Sequence, residues 1–261
     1  MLGFNGGLLG VRRVPTGDAA SGLWFQNEQS VAKRAGIWPI TLPPNPIPAL
    51  SPILWYDFAD EATVTTSGTE LTQITDKGSR NWTLTKSTTG PQYVTGINSK
   101  KCVDWGSSTH SNYIRNTGTT STDVAEIYFI LDAAFGSTFS DYNGLVSGTS
   151  SGASTLAGNS ASAGLWGGSS WGNAFVNGSA TNTFTSVLPT INSASLLRVK
   201  KSDNTAVTLT DGFQIGMERT NTDRGWFGLI GEVVCFSSVL GSTDRNAVQA
   251  HLAAKWNITL V

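Results

Sequence analysis

Carboxylates are the first place to look for chemistry in this chain, because its 18 Asp and Glu stand beside only two His and two Cys. Hydrolysis of a glycosidic bond with retention needs two carboxyl groups about 5 Å apart. Acids two residues apart on one strand share a face and supply that pair. Glu126 and Asp132 bracket EIYFILD, but they are six positions apart, roughly 20 Å along a strand at ~3.3 Å per residue. Glu232 is alone in its strand, and Asp57, Asp60 and Glu61 fall at a strand end and the turn after it. His110 and His251 lack metal-like spacing, and His251 reads as a packing residue on a helix. No acid–nucleophile pair, zinc site or Ser-His-Asp set emerges, so the expectation is a protein that is not an enzyme.

Aromatic and basic residues offer binding chemistry instead. GLWGGSSWGNAFVNG places Trp166 and Trp171 in a Gly/Ser-rich stretch. Exposed indole faces beside amide and hydroxyl groups would stack on sugar rings, whereas buried ones would be core. Near the start, GLWFQNEQSVAKRAGIWP carries Trp24, Phe25 and Trp38, with Arg12, Arg13, Lys33 and Arg34 as a small cationic cluster. Asn27 can cap a helix over 28–35 that stops at Gly36. A helix of about two turns is marginal alone, so its aromatics must pack on something else. The basic residues are either solvated surface or fork donors for an acidic partner; docking is the expectation taken forward.

The elements that would position these groups are short. ILWYDF, EIYFILD, AGLWGG, NAFVNG, TFTSVL, SLLRVK, AVTLT and FGLIGEVVCF are strand-sized runs separated by Gly, Ser, Asn or Asp. No helical pattern interrupts them as parallel crossovers would require, which predicts antiparallel strands in two packed sheets. NG at 177–178 and DN at 203–204 read as hairpin turns. The closing strand is expected to place Leu229 and Val233, with Glu232, on one face and Ile230, Val234 and Phe236 on the other. STDRNAVQAHLAAKW then reads as a helix with a Val248/Leu252/Trp256 stripe, Asp244 in its first turn and Lys255 in its last. Five prolines in 42–52 predict a semi-rigid spacer of about 34 Å, separating an arm (1–41) from a main domain (53–261).

Composition agrees. Only 13% of residues are charged and the net charge is −1, which argues against a nucleic-acid binder. The 29 glycines fall between the apolar runs, as in a turn-rich sandwich. No window supplies the ~20 apolar residues of a membrane helix. MLGFNGGLLGVRR has its arginines after the apolar run and does not read as a secretion signal, so folding in a cytoplasm is expected. Cys102 and Cys235 are too few for a disulfide framework; buried thiols and a single bridge both remain open.

Two stretches carry a family resemblance. LWYDFADEATVTTSGTELTQITDKGSRNWTLTKSTTGPQYV (54–94) and FGLIGEVVCFSSVLGSTDRNAVQAHLAAKWNI (227–258) resemble the opening and closing segments of laminin-G-like, concanavalin A-like jelly-roll domains. Leu54 to Asp57, Asp76-Lys77-Gly78, Gly228 to Phe236 and Ala253 to Trp256 carry it; Gly241 stands where that family often has a capping Ser. The middle, 115–225, fits only by strand texture. The resemblance implies an all-β, antiparallel two-sheet jelly roll with one C-terminal helix, and first and last segments lying side by side. It brings in calcium as a candidate cofactor, with Asp76, Asp104 or Asp141 as turn ligands. Glucanases of that broad fold carry E-x-D-x-x-E, which is missing here.

The first unit, through Gly22-Leu23-Trp24, Glu28-Gln29, Ala32 and Trp38-Pro39, resembles a short N-terminal segment of virion structural proteins of tailed bacteriophages. Together the two resemblances imply a virion accessory protein, a capsid decoration, knob or tail-fibre component made in the bacterial host cytoplasm. Its partners would be other virion proteins and further copies of itself. The alternatives are a module recognising host-surface glycans and, further off, a glucanase-like hydrolase.

Overall fold

The computed structural model describes residues 44–106, 112–116, 118, 120–134, 141–150, 154–159, 163–168, 170–219 and 224–261, with the backbone but not the side chain of Asp141. Arg12, Arg13, Trp24, Phe25, Lys33, Arg34 and Trp38 lie outside the described residues.

The short apolar runs become strands β1 (Leu54–Asp57), β2 (Val64–Ser67), β3 (Glu70–Thr75), β4 (Thr83–Lys86), β5 (Gln92–Thr95), β6 (Lys101–Asp104), β7 (Ile114–Arg115), β8 (Thr122–Val124) and β9 (Glu126–Ala133). They continue as β10 (Asp141–Ser147), β11 (Leu156–Asn159), β12 (Gly164–Trp166), β13 (Trp171–Val176), β14 (Ser195–Lys201), β15 (Val207–Leu209), β16 (Gln214–Ile215) and β17 (Gly228–Phe236). One helix follows, α1 (Ser242–Trp256). The protein is all-β and antiparallel with a single C-terminal helix.

The two packed sheets are joined edge to edge. A continuous path runs β12-β11-β10-β16-β7-β4-β3-β5-β6-β17-β9-β14-β13, and its narrowest crossing is the single register pair Glu70↔Gln92 between β3 and β5. Joining the layers there leaves fewer unpaired strand edges for foreign chains to find. Side chains from both halves share one core, including Tyr56, Leu71, Leu84, Phe129, Leu145, Leu197, Phe213 and Trp226. A second cluster on the outer face of the β14/β9/β17 layer holds Trp55, Ile97, Tyr128, Ile130 and Val234 beneath Val248, Leu252 and Trp256 of the helix.

β17 is the central strand. It pairs along one side with β9 over its whole length and along the other with β6 and then β1, in the register Leu54↔Cys235 to Asp57↔Glu232. The chain's opening and closing strands therefore lie side by side, as the end motifs imply. Their alternation differs from a strict period of two. Ile230, Val233 and Cys235 face the main core, while Leu229, Val234 and Phe236 face the helix. A register shift between Ile230 and Glu232 leaves Gly231 as the extra residue of a bulge. A Cβ on Gly231 would stand 2.5 Å from the Trp256 ring; glycine here lets the indole lie on the strand.

α1 coincides with the predicted helix. Gly241 is its N-cap without a side-chain bond, and Asn257 closes it in the left-handed conformation, its N–H reaching the carbonyls of Ala253 and Ala254. Both cysteines are free and buried, on opposite faces of the sheet; burial is the first cause pushing both thiols up, which makes them poor nucleophiles.

Three local expectations are corrected. Asn177 and Gly178 do form a left-handed turn, but TFTSV contains a 3-10 turn, Phe184–Ser186, and β13 pairs with β14 beyond it. Asn204 also turns the chain with positive φ, yet β14 and β15 pair with other strands. Within 44–52, the chain is not extended throughout: Pro48–Leu50 is a 3-10 turn, Ile47 is fully buried in the second cluster, and Pro52 accepts from the amide of Ser79. Proline supplies the turn's first position, and the apolar residues between the prolines find the helix-side core.

Candidate functional site

Asp57, Asp60 and Glu232, three of the acids singled out in the sequence, are brought to a seam where β1, β17 and α1 meet. Glu232, 1% exposed, accepts from Trp55 Nε1 and Trp256 Nε1, each at 2.7 Å. Lys255 Nζ bridges Glu232 Oε2 and Asp57 Oδ1, both at 2.7 Å. Lys77 Nζ meets Asp57 Oδ2 at 3.2 Å and Asp60 Oδ2 at 2.7 Å, and lies 4.4 Å from the Trp55 ring centre. Burial pulls the Lys77 ammonium down, but the bonds and charges of Asp60 and Asp57 outweigh it and its pKa is raised. The hydrogen bond from Lys77 is the leading cause holding Asp60 below the ordinary carboxylate range. Two lysines and three carboxylates thus saturate one another, with the two indoles completing the set.

Asp76 belongs to the same region. Oδ1 accepts from the amides of Trp55 (2.7 Å) and Gly78 (2.6 Å), and Oδ2 from that of Trp82 (3.4 Å). Burial pushes its carboxyl up against the opposing pull of these amides. The D-K-G bend is a clamp on β1. Asp104 turns inward on its own loop, Oδ1 accepting from Gly106 N at 2.7 Å, and the Asp141 side chain is outside the described residues. Among the described residues, no three His, Cys, Asp or Glu side chains converge as metal ligands.

Five carboxylates are buried among the described residues: Asp57, Asp76, Glu126, Glu218 and Glu232. Glu126 binds Arg198 at 2.9 Å and the amide of Leu240 at 2.8 Å. Glu218 binds Arg219 at 2.6 Å and Arg224 at 2.7 Å. Glu126 and Asp132 do not meet: Asp132 lines a separate cleft of about 610 Å³ with Asn98 and Asn257, where burial raises its pKa. His251 is buried on the helix.

The two tryptophans proposed for sugar stacking have different surroundings. Trp171 is 5% exposed, belongs to the main core and donates from Nε1 to the Ser154 carbonyl at 3.1 Å. It presents no stacking face, because β13 turns it inward. Trp166, at the end of β12, is half-buried and meets the Tyr142 ring edge-on at 4.9 Å, with Arg224 stacked on Tyr142.

A feature that sequence reading missed lies between β13, β14 and α1. A cleft of about 450 Å³ is lined by Arg198, Lys200, Arg245, Asn246 and Gln249. The i, i+2 spacing of Arg198 and Lys200 was the available signal, but only the fold adds Arg245. No helix among the described residues is long and apolar enough to cross a membrane. No known family, curated protein or solved structure matches the chain.

Proposed function

We propose that the chain is a non-enzymatic structural protein of a tailed-bacteriophage virion, made in the bacterial host cytoplasm. The arm over 1–41 anchors it to other virion proteins through Trp24, Phe25, Trp38 and the basic residues Arg12, Arg13, Lys33 and Arg34. The β domain projects from the particle, and copies associate so that the arm's aromatics gain a partner surface. One observation supports the structural role above others: the buried carboxylates of the seam, Asp57, Asp76 and Glu232, are committed to lysines, indoles and backbone amides that tie the domain's first and last strands and its helix together. Glycoside hydrolysis needs two carboxyl groups in one cleft, and Asp132 is the single acid lining the larger cleft among the described residues. The reading requires no cofactor. A chain lacking residues 1–41 should fold but fall to background in particle incorporation; wild-type occupancy would overturn the anchoring role.

Recognition of host-surface glycans by the β domain is the second reading, favoured by the half-buried Trp166 beside Tyr142. It is compatible with anchoring through the arm. A glycan array probed with residues 44–261 and with a Trp166→Ala variant tests it, and equal binding by the two would remove Trp166 from the site.

A further inference from the structure

We infer that the cleft between β13, β14 and the first half of α1 binds an oxyanion carried on a saccharide, the carboxylate of a uronic acid or the phosphate of a sugar phosphate. This rests on the glycan-recognition reading only for the saccharide; the oxyanion follows from the charges themselves.

Three cations converge on the cleft: Arg198, Lys200 and Arg245. Glu126 answers one of them, taking Arg198 Nη1 at 2.9 Å. Among the described residues, Lys200 has only the neutral Asn204 amide oxygen as its hydrogen-bond partner. Arg245 has no ion-pair partner among the described residues, although α1 starts three residues before it. A cation in the first turn of a helix opposes the macrodipole, so local helix energetics do not explain its place. The cleft carries uncompensated positive charge on a chain whose net charge is −1.

One buried donor at the cleft lacks a partner. Arg198 is 6% exposed, and its Nε is buried without a hydrogen-bond partner among the described residues. Gln249, 7% exposed, lines the same cleft. Buried donors of this kind are ordinarily satisfied, and a guanidinium is the group that best matches a planar carboxylate or a phosphate. The Arg198 guanidinium is fixed in place, 4.0 Å from the centre of the Phe175 ring, so the cleft is preorganised.

The size and the neutral lining select the carrier. About 450 Å³ lies within the range of small-ligand sites and suits one or two sugar residues. Amides of Asn246 and Gln249 and the hydroxyl of Ser179 stand beside the cations to meet sugar hydroxyls. A nucleotide base would want an aromatic face, and that of Phe175 is already covered by Arg198.

Titration of the full-length chain at low ionic strength, followed by calorimetry, tests this with glucuronate, glucose 1-phosphate, glucose, inorganic phosphate and a polyglutamate peptide. One or both acidic sugars should bind at least tenfold more tightly than glucose, weaken as salt is added, and weaken a further tenfold or more in Arg245→Gln. Lys200→Gln gives a second, independent variant, with circular dichroism confirming that each remains folded. No binding of either acidic sugar, or equal affinity for glucose, overturns the proposal. Inorganic phosphate binding as tightly as glucose 1-phosphate overturns the saccharide carrier, and tighter binding of polyglutamate reassigns the cleft to an acidic protein partner. These measurements use the isolated chain, so they fail or succeed independently of particle incorporation.

Discussion

The two ends of α1 sit over charge clusters of opposite completeness. At its C-terminal end, Lys255 enters a set in which each lysine has two carboxylates and Glu232 has three donors. At its N-terminal end, Arg245 faces Arg198 and Lys200 across a cleft with Glu126 as the acid bound there. Both clusters lie beside one helix, the seam at β1 and β17 and the cleft at β13 and β14. Saturated charges tie elements together and leave nothing for a ligand; unsaturated ones contribute little to the fold and remain free to bind. Stability and recognition are thereby assigned to different ends of one helix.

The sharpest way to break this comparison is Glu232→Ala. It strands two buried indole N–H groups and a lysine, and loss of one partner of a buried pair typically removes about 3–5 kcal/mol. Urea unfolding should register that loss, and a change below about 1 kcal/mol would mean the seam does not tie the chain's ends. Gly231→Ala should follow, at about 1–3 kcal/mol, because the new methyl displaces the Trp256 ring from the bulge. Its near-ultraviolet circular dichroism should change with it; an unaltered tryptophan signal would contradict the packing.

A smaller effect sharpens the seam's electrostatics. Tyr93 donates to the Phe58 carbonyl at 2.8 Å, and burial, with the neighbouring charges of Glu61, Asp57 and Asp60, pushes its hydroxyl up to about 12. A raised folded-state pKa contributes stability that is complete below the unfolded value near 10 and is lost as pH climbs to about 12. Tyr93→Phe should therefore cost about 1 kcal/mol at neutral pH and make the stability decline between pH 10 and 12 shallower. An unchanged slope would remove Tyr93 from that linkage. Least of all should be Arg245→Gln, whose unfolding free energy should stay within about 0.5 kcal/mol of wild type. A large loss would make Arg245 a structural residue and erase the contrast between the helix ends.

Periodicity made much of this legible. The Val248/Leu252/Trp256 stripe located α1, and the aliphatic closing segment announced that β17 is buried on both faces; that β1 and β17 are adjacent was implied by the resemblance of the two end motifs, not by periodicity. Alternation failed at Gly231 because a bulge changes the count by one, and nothing local distinguishes a bulge glycine from a turn glycine. Trp171 and Trp166 look alike in a Gly/Ser-rich stretch; only strand pairing decides which indole turns inward. Asn177-Gly178 and Asp203-Asn204 gave correct turns but not their strand partners, since turn chemistry says nothing of where the chain goes next. The cationic cleft depended on β9–β14 and β13–β14 register and on a helix more than 40 residues further along, a coincidence that no single segment records.

The pairing of β1 with β17 also sets a clock. Leu54 waits for Cys235, 181 positions later, so among the described residues the central strand is made after the domain's other sixteen strands. At about 5–20 residues per second the opening strand spends roughly 10–35 s without its neighbour. Throughout that interval the apolar residues of β1 lack the strand that buries them, whereas β9 can already pair with β14 before β17 is made; shielding of β1 is the need that lasts until translation reaches residue 236.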